Sequence, residues 1–417
     1  MKNTRLKRLT NLLFILSLST LLLGVGFRLG QLSTNNNFVT SHPYGLINLD
    51  KDKEKATQLD FSLFWDVWEK ISDKFVARDK INYTKMYYGA IKGMVSSLDD
   101  PYTVFLTPDE NKMSKDDLVG LFEGIGTQLG LKNGEIVIIA PLKKSPAEAA
   151  GLKAGDIVKK VDGHSAVNWT LYEAVSKIRG KRGTKVSLTL YRIEKEFTVD
   201  IIREEIKVPS VEIEFEKDVA ILRLTRFGED TNDLWDSAIN EIASKWHSGQ
   251  IRAMILDLRD NPGGYLDSSV YIASEFISEG KLVVKQEYYN GQSENHLVKH
   301  QGKLLDIPLI ILINKGSASA SEIVAGTLRD HKRAKLIGET TFGKGSIQEA
   351  IDLKQGAGLH VTIAKWILPN GDWINSKGVT PNIKVGNPDD ENNTITRDTD
   401  LQLERATSEV EKLKLNK

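Results

Sequence analysis

The sequence predicts a multidomain α/β protein, and three successive patterns support that prediction. The chain has 417 residues, 40% of them hydrophobic; this composition is normal for a folded protein, and the length exceeds what one ordinary core accommodates. Helical spacing of apolar residues covers 61–98, short glycine-punctuated strands cover 120–204, and strands alternate with helices from residue 206. We therefore expect a helical segment, a β-rich domain and an α/β sheet domain in that order.

A basic cluster and an apolar run stand at the N-terminus. Four basic side chains come first: Lys2, Arg5, Lys7 and Arg8. Residues 9–27 then carry no charge, and about 20 apolar residues are enough to span a bilayer as a helix. Because positive flanks stay in the cytoplasm, we expect a cytoplasmic basic tip and a transmembrane signal-anchor at 1–31, followed by a polar linker at 32–57. A cleaved signal peptide is the alternative, and both readings export the remaining chain.

Composition narrows the possible functions and locations. Lys plus Arg and Asp plus Glu each total 56, so the net charge is zero, and without a basic stripe we expect no nucleic-acid partner. The absence of cysteine excludes disulfides, a thiol nucleophile and thiolate metal ligands. The N-terminus also lacks the Ser- and Arg-rich composition of a transit segment. This favours a bacterial cell envelope over a chloroplast lumen, and we expect a single-pass anchor with an extracytoplasmic main part.

Local signals set the domain boundaries. A proline at position 101 stops the second predicted helix, and residues 186–190 alternate apolar and polar side chains as a half-buried strand does. Continuous apolar strands at 253–258 and 309–313 stand between helices, which is typical of a mostly parallel sheet covered on both faces. The predicted segments are an N-terminal helical domain at 58–112, the β-rich domain at 113–205, the α/β domain at 206–388, and a polar segment with a final helix at 389–417.

A run of small residues is the sharpest candidate for chemistry, Asn314-Lys-Gly-Ser-Ala-Ser-Ala-Ser-Glu-Ile323. It follows a predicted buried strand and precedes a helix expected to begin near Ala320. Free N–H groups and the helix dipole stabilise an oxyanion at such a position, so a serine there is a candidate nucleophile. The alternative is a capping box in which Ser319 and Glu322 satisfy the start of the helix.

A serine nucleophile needs a base, and a lysine is the better candidate. The seven histidines stand in no site-like context, so a serine–histidine triad is the weaker alternative. Lys344 lies between two glycines and near Phe342, and burial beside apolar groups lowers a lysine pKa from its usual value of about 10.4. Gln348 can orient the amine without adding charge. An ordinary exposed lysine in a surface turn is the other interpretation.

A glycine pair follows another predicted buried strand, in Asp257-Leu-Arg-Asp-Asn-Pro-Gly-Gly264. A backbone N–H of Gly263 or Gly264 can point towards a substrate carbonyl and act as an oxyanion donor. The alternative is a plain glycine turn that leads into the helix expected from Leu266.

Together these three segments resemble the C-terminal processing peptidase family, the tail-specific serine peptidases. The family carries Asp-Leu-Arg-x-Asn-x-Gly-Gly, Ser-Ala-Ser-Ala-Ser-Glu and Thr-Phe-Gly-Lys-Gly-x-x-Gln in this order, and the resemblance covers residues 61–385, including Leu98-Asp-Asp-Pro-Tyr102. It implies an α/β protease core, cleavage of proteins near their C-termini through an acyl-enzyme, and no metal or cofactor. The implied roles are the nucleophile for Ser319, the general base for Lys344, its orienting partner for Gln348, and the oxyanion hole for the backbone N–H groups of Ala320 and of Gly263 or Gly264.

The β-rich domain resembles a PDZ domain in two stretches, Phe122-Glu-Gly-Ile-Gly-Thr127 and Gly151-Leu-Lys-Ala-Gly-Asp-Ile157. The resemblance implies that the C-terminus of a substrate adds to this domain as a strand. Its carboxylate would meet the backbone of Gly124, Ile125 and Gly126. A β-rich packing domain without a ligand is the alternative.

The resemblance also implies partners. These are unfolded or C-terminally tagged protein substrates, the membrane through the N-terminal helix, and further copies of the chain, since the family assembles into dimers or larger rings through its terminal helices. The competing function is a membrane-tethered PDZ adaptor with an inactive protease-like half. The presence of Ser319, Lys344 and Gln348 together favours the enzyme.

Overall fold

The chain divides into two compact units, Met1–Asn82 and Tyr83–Lys417. The computed structural model describes residues 60–387 except 133 and 143, residue 397, and residues 399–412. Within the first unit it describes one helix, α1 (Ser62–Lys74), and a short 3-10 turn, Arg78–Lys80. No residue of α1 is buried, and large apolar side chains such as Leu63 and Val67 are exposed.

Two helices and a short strand open the second unit: α2 (Tyr83–Ser96), β1 (Val104–Leu106) and α3 (Pro108–Val119). Helix α3 is polar and is stabilised at its start, where Thr107 and Glu110 form a capping box. It ends at Gly120, which has a φ of 72° and therefore occupies the left-handed conformation that favours glycine.

The β-rich domain follows. Its elements are β2 (Leu121–Gly124), β3 (Thr127–Lys132), β4 (Glu135–Pro141), α4 (Pro146–Ala149), β5 (Ile157–Val161), β6 (His164–Ser165), α5 (Leu171–Ile178), β7 (Lys185–Arg192), β8 (Lys195–Ile202) and β9 (Glu204–Lys207). The main sheet has the antiparallel order β3-β4-β5-β7-β8, with β6 beside β5, and β2 pairs separately with β9. Inward-facing residues such as Ile136, Val186 and Leu188 give this domain a hydrophobic core of its own.

The α/β domain completes the described chain. Its elements are β10 (Val211–Glu216), β11 (Val219–Leu224), α6 (Thr231–His247), β12 (Ala253–Asp257), α7 (Leu266–Ser274), β13 (Leu282–Tyr288), β14 (Ser293–Leu297), β15 (Leu309–Ile313), α8 (Ala320–Asp330), β16 (Lys335–Gly338), β17 (Ser346–Asp352), β18 (Gly358–Ile367), β19 (Ile383–Lys384) and α9 (Leu401–Lys412), with a 3-10 turn at Lys354–Gly356.

The central sheet has the order β10-β11-β12-β15-β16-β19. Strand β10 is antiparallel to β11 and the other pairs are parallel. Helices α6, α7 and α8 supply the larger core on one face, whereas Leu403, Ala406 and Val410 of α9 pack against the other face. The predicted multidomain α/β architecture, with a mostly parallel sheet covered on both faces, is confirmed.

A second sheet lies in the same unit, with the order β1-β18-β13-β14 and β17 beside β18. Strand β1 is antiparallel to β18, and Val104 is opposite His360. On the other edge of β18, Gln348 of β17 is opposite Thr362. The turn that precedes β1 is therefore fixed beside the strand pair that carries Gln348.

The prediction of a membrane anchor is corrected by the structure. Among the described residues, no helix is long and apolar enough to cross a membrane. A span needs about 20 predominantly apolar residues, whereas the longest helix of this part, α6, has 17 residues and includes Asp233, Glu241 and Lys245. The predicted anchor at 1–31 and linker at 32–57 lie outside the described residues. The predicted single-pass location in a bacterial cell envelope is corrected on this finding and is not retained, and the predicted membrane partner is not shown by the described residues.

Helix α9 provides a test of the core on the second face of the sheet. Leu403 is buried in that core, and Leu403→Ala is expected to lower the free energy of unfolding by about 2–4 kcal/mol because it leaves a cavity. The control Leu401→Ala, at a position that is 42% exposed in the same helix, should change it by less than about 0.5 kcal/mol. Urea denaturation of both variants measures the difference, and equal losses would contradict the packing of α9.

Candidate active site

Three loops meet at the carboxyl ends of neighbouring parallel strands. Strand β15 lies between β12 and β16, with Leu312 opposite Asp257 and Ile313 opposite Gly338. The glycine pair follows β12, the run of small residues follows β15, and Lys344 follows β16. In open α/β sheets, ligands bind outside the carboxyl ends of the strands. The sheet order therefore brings together the three segments that the sequence analysis selected.

Ser319 stands at the start of α8 in a rare backbone conformation, with φ 56° and ψ −116°. A non-glycine residue in such a region costs on the order of 1–3 kcal/mol and persists only where neighbouring contacts enforce it. Those contacts are present on both sides of Ser319. The hydroxyl of Ser317 donates to the carbonyl of Leu258 at 2.8 Å, and the hydroxyl of Ser321 donates to the carbonyl of Asn261 at 2.9 Å. Ser319 itself is only partly buried, so its side chain can meet a substrate.

Asn261 joins the glycine loop to the serine turn, a role that the sequence analysis did not assign. Its side chain is fully buried, donates to the carbonyl of Leu224 at 2.7 Å and accepts from the N–H of Gly263 at 2.9 Å. Its backbone carbonyl also accepts from the N–H of Ala318 at 3.0 Å. A buried side chain with every contact directed at a backbone group indicates a scaffold role, which the Asp-Leu-Arg-x-Asn spacing alone does not reveal.

Both candidate oxyanion glycines occupy positions that a side chain cannot share. Gly263 has a φ of 100°, and a Cβ there would lie 2.7 Å from the Cβ of Ser319 and 3.0 Å from the backbone nitrogen of Ala320. Gly264 has a φ of 141°, and its Cβ would lie 2.1 Å from the carbonyl oxygen of Phe227. The glycine pair therefore permits a close backbone approach to the start of α8.

The carboxylate of Glu322 joins the serine turn to the lysine loop. It is fully buried and accepts hydrogen bonds from the N–H of Ser319 at 2.8 Å, the hydroxyl of Thr341 at 2.5 Å, and the N–H groups of Gly343 at 2.7 Å and Lys344 at 2.9 Å. Burial raises its pKa against the effect of these hydrogen bonds. One half of the capping pair predicted between Ser319 and Glu322 is present, since Glu322 accepts from the N–H of Ser319, and the same carboxylate also fixes the loop of the candidate base.

Lys344 lies in a loop that only glycine neighbours allow. A Cβ on Gly343 would lie 2.9 Å from the nitrogen of Gly378, and one on Gly345 would lie 2.6 Å from that of Asn375. The side chain of Lys344 is largely buried, and this burial lowers its pKa, while the nearby anions Asp100 and Glu322 act in the opposite direction. The alternative of an ordinary exposed lysine does not fit this environment.

Among the described residues, no hydrogen bond joins the side chains of Ser319, Lys344 and Gln348. The amide nitrogen of Gln348 donates to the hydroxyl of Ser346 at 2.9 Å and to that of Thr362 at 3.1 Å. The structure thus places Gln348 on the strand that follows Lys344, and its orienting contact with the amine stays a prediction.

Two neighbours of Lys344 were not assigned a role from the sequence. Its amine lies 5.3 Å from the ring centroid of Tyr102, over the face of the ring, within the range of a cation–π contact. His360 lies on β18; burial and the charge of Lys344 both lower the pKa of its imidazole. The motif Leu98-Asp-Asp-Pro-Tyr102 was a signal for the first neighbour, but nothing around His360 in the sequence indicated the second.

The predicted peptide-binding loop lies where β2 ends. Ile125 is buried in the core of the β-rich domain, and its carbonyl accepts from the N–H of Ala147 at 2.8 Å. Gly126 has a φ of 72°, and a Cβ there would lie 2.5 Å from the Cβ of Ser145. Gly124 is the last residue of β2. The loop is therefore a tight glycine turn fixed against α4.

The described residues contain no cluster of three or more His, Cys, Asp or Glu side chains suited to a metal ion.

Three family models match the chain. The model of peptidase family S41 matches residues 218–385, that of the PDZ domain matches 115–191, and that of the activating protease CtpB N-terminal domain matches 24–110. The S41 match covers the α/β domain with Ser319 and Lys344, and the PDZ match covers the β-rich domain. The resemblance of the β-rich domain to a PDZ domain is confirmed.

Two bacterial relatives are similar to the chain over most of their length. A carboxy-terminal-processing protease of Bartonella bacilliformis is 37% identical over 347 residues, which are 82% of this chain and 78% of that protein. The carboxy-terminal processing protease CtpB of Bacillus subtilis is 37% identical over 346 residues, which are 82% of this chain and 70% of that protein. A solved structure of a photosystem II D1 C-terminal processing protease is 27% identical with a TM-score of 0.52, and the match covers 78% of this chain and 92% of that one.

The Glu322 carboxylate provides a stability test of the site. Glu322→Gln places an amide N–H₂ group where the carboxylate accepted hydrogen bonds, which leaves buried donors unpaired. We expect the free energy of unfolding to fall by about 2–4 kcal/mol, measured by chemical denaturation at pH 8. The control is Glu339→Gln, because Glu339 forms a partly exposed ion pair with Lys315 at 3.1 Å and should lose less than about 1 kcal/mol. Similar losses in both variants would show that Glu322 does not join the two segments.

Proposed function

The chain belongs to the carboxy-terminal processing proteases, serine-type peptidases of family S41 with a PDZ domain, and from this premise we propose that it cleaves proteins near their C-termini through an acyl-enzyme formed by Ser319 with Lys344 as the base. The observation that best supports the proposal is the link between the two segments. A single buried carboxylate, Glu322, accepts hydrogen bonds from the backbone of both residues.

The proposed reaction begins with neutral Lys344. Its amine accepts the hydroxyl proton of Ser319 while the oxygen attacks the peptide carbonyl, and the ammonium then protonates the leaving amine. Water, activated by the same amine, releases the acyl group. Burial lowers the pKa of Lys344, which supports this role because a protonated amine cannot accept a proton.

The proposed oxyanion hole uses the backbone N–H of Ala320 at the start of α8 and a second N–H from the glycine pair. The N–H of Gly263 already donates to the side chain of Asn261 at 2.9 Å, which favours Gly264 as the second donor. Gln348 is proposed to orient the amine of Lys344. Its present hydrogen bonds to Ser346 and Thr362 both use the amide nitrogen as donor, so the amide oxygen is the atom that would accept from the amine.

The PDZ domain is proposed to bind the C-termini of substrates, which are unfolded or C-terminally tagged proteins. In this mode the peptide adds as a strand, and its carboxylate meets the backbone N–H groups of the loop from Gly124 through Ile125 to Gly126. The tight turn at Gly126 supports the placement because it keeps backbone groups free of side chains. Occupation of this loop is further proposed to gate cleavage.

The chain is also proposed to form a homo-oligomer of two or more copies. Helix α9, near the C-terminus, buries Leu403, Ala406 and Val410 in the core of its own domain. Helix α1 instead exposes apolar side chains such as Leu63, Val67 and Ile71. We therefore assign the contact between copies to α1.

Substitutions of Ser319, Lys344 and His360 distinguish a lysine base from a histidine base. The full chain is incubated with an unfolded protein that ends in apolar residues, alongside Ser319→Ala, Lys344→Ala and His360→Gln. We expect the parent to cleave near the C-terminus, and Ser319→Ala and Lys344→Ala to lose about 10³-fold or more in kcat/KM. His360→Gln should remain within about tenfold of the parent.

Mass spectrometry of the released peptides locates the cut. Activity retained in Lys344→Ala but lost in His360→Gln would favour a histidine base. No cleavage by the parent, together with peptide binding, would favour the adaptor function. Cleavage by the parent at internal sites alone would contradict C-terminal processing.

Peptide binding tests the PDZ loop without altering the protein. A labelled peptide with a free C-terminal carboxylate and the same peptide with a C-terminal amide are titrated with the Ser319→Ala chain, which prevents turnover. Loss of charge-assisted hydrogen bonds should raise the Kd of the amide about 10- to 100-fold, measured by fluorescence anisotropy. Equal Kd values would refute carboxylate recognition by this loop.

A further inference from the structure

The turn before β1 faces the amine of Lys344. The amine lies over the ring of Tyr102, 5.3 Å from its centroid. Asp100, two residues earlier, is close enough for its charge to act on Lys344. Within the described residues no hydrogen bond joins the side chains of Lys344 and Ser319, and the amine instead lies against the face of the Tyr102 ring.

The turn is held rigidly on the strand beside the base. Asp100 accepts from the hydroxyl of Thr103 at 2.6 Å and from the N–H of Tyr102 at 3.1 Å. The hydroxyl oxygen of the buried Thr103 accepts from the N–H of Thr362 at 3.1 Å, and Thr362 is opposite Gln348. The carboxylate of Asp100 and the ring of Tyr102 are therefore positioned by contacts that do not involve Lys344.

Four groups face Lys344 from the elements packed around it: Asp100 and Tyr102 from the turn, Glu322 from α8 and His360 from β18. Burial works against the charge of Asp100, but hydrogen bonds from Thr103, Thr362 and the backbone outweigh it and lower its pKa. Asp100 is therefore an anion at neutral pH. Burial raises the pKa of Glu322, whereas the pKa of Asp100 is lowered, so Asp100 is the anion whose charged form its surroundings favour.

We propose that Asp100 and Tyr102 are positioning residues for the base: the carboxylate and the ring face together stabilise the ammonium that Lys344 becomes when it takes the proton of Ser319. This inference rests on the proposed function. In that step the O–H bond of Ser319 breaks, its proton joins the lone pair of the amine, and the oxygen forms a bond to the carbonyl carbon as the carbonyl electrons move to oxygen. A positive charge thus appears on Lys344 in a largely buried place.

The ammonium of Lys344 needs this stabilisation because burial affects the base in two opposing ways. Burial favours the neutral form of Lys344, which can accept a proton. A base whose pKa is lowered too far binds that proton weakly, and catalysis is most efficient when the pKa lies near the operating pH. An anion and an aromatic face at fixed positions act only on the charged form. They offset burial where the charge appears, without a hydrogen bond that would hold the amine away from Ser319.

The pH dependence of kcat/KM tests this role. Loss of a group that favours the ammonium lowers the pKa of Lys344, so the acid limb of the profile should move to lower pH in Asp100→Asn and in Tyr102→Leu. At the alkaline plateau, kcat should fall about tenfold in Asp100→Asn, which is about 1.4 kcal/mol, with KM little changed. The matched controls are Tyr102→Phe, which keeps the ring face, and Asp99→Asn, which removes an exposed carboxylate from the same turn. Both controls should leave the acid limb in place.

A second measurement does not require turnover. In the Ser319→Ala chain, acetylation of Lys344 by acetic anhydride is followed across pH by mass spectrometry, because only the neutral amine reacts. Adding Asp100→Asn or Tyr102→Leu should shift the midpoint of labelling to lower pH, whereas Tyr102→Phe should not. Thermal melting of each variant checks that it is folded. The substitutions Tyr102→Leu and Tyr102→Phe leave the hydrogen bonds of Asp100 intact, because these come from the Thr103 hydroxyl and the backbone of Tyr102.

The outcomes separate the inference from the proposed function. Cleavage that persists in Ser319→Ala or Lys344→Ala would overturn the proposed function itself. Cleavage that depends on both residues, with unchanged midpoints of labelling and of the pH profile in Asp100→Asn and Tyr102→Leu, would overturn only the role of the turn. A loss confined to KM would also overturn it, because that result indicates substrate binding.

Discussion

The buried carboxylate of Glu322 connects the parts on which the candidate site depends. It lies in the first turn of α8 and accepts from the backbone of Ser319 on one side and of Gly343 and Lys344 on the other. A fully buried charge costs several kcal/mol unless hydrogen bonds surround it, so these donors cannot move away independently. The positions of Ser319 and Lys344, the proposed nucleophile and base, are for this reason set by one acceptor, and a shift of either segment disturbs the other.

The hydrogen bonds of Glu322 hold the two segments in place because the elements that carry these segments are themselves fixed by the sheet. The three loops follow adjacent parallel strands, β12, β15 and β16, whose residues are largely buried. Asn261 joins two of those loops with buried hydrogen bonds, and the rare backbone conformation of Ser319 persists because its neighbours on both sides are held. The strain is stored in a place where a substrate can reach the side chain, and the stable sheet beneath compensates for it.

At Lys344, burial and the neighbouring charges change the pKa in opposite directions. Burial disfavours the ammonium, while Asp100 and Glu322 favour it, and the ring of Tyr102 lies on one side of the amine. Asp100 and Tyr102 come from the turn before β1, and Glu322 comes from helix α8. The second sheet, which pairs β1 with β18, therefore has a chemical consequence besides a structural one, since it brings the turn of the N-terminal helical region to the α/β domain.

The sequence by itself determined the fold class, the family and the segments that form the site. Strong periodic signals coincide with the structure, as in β15 (Leu309–Ile313) and α5 (Leu171–Ile178), because continuous apolar runs and helical spacing report burial directly. Helix α3 had no apolar stripe to reveal it and is stabilised by its capping box. Only the tertiary structure decided what surrounds Lys344 and which acceptor links it to Ser319. Such contacts join residues far apart along the chain, Thr103 and Thr362 being 259 positions apart, and no local pattern encodes which distant side chains the sheet order brings together.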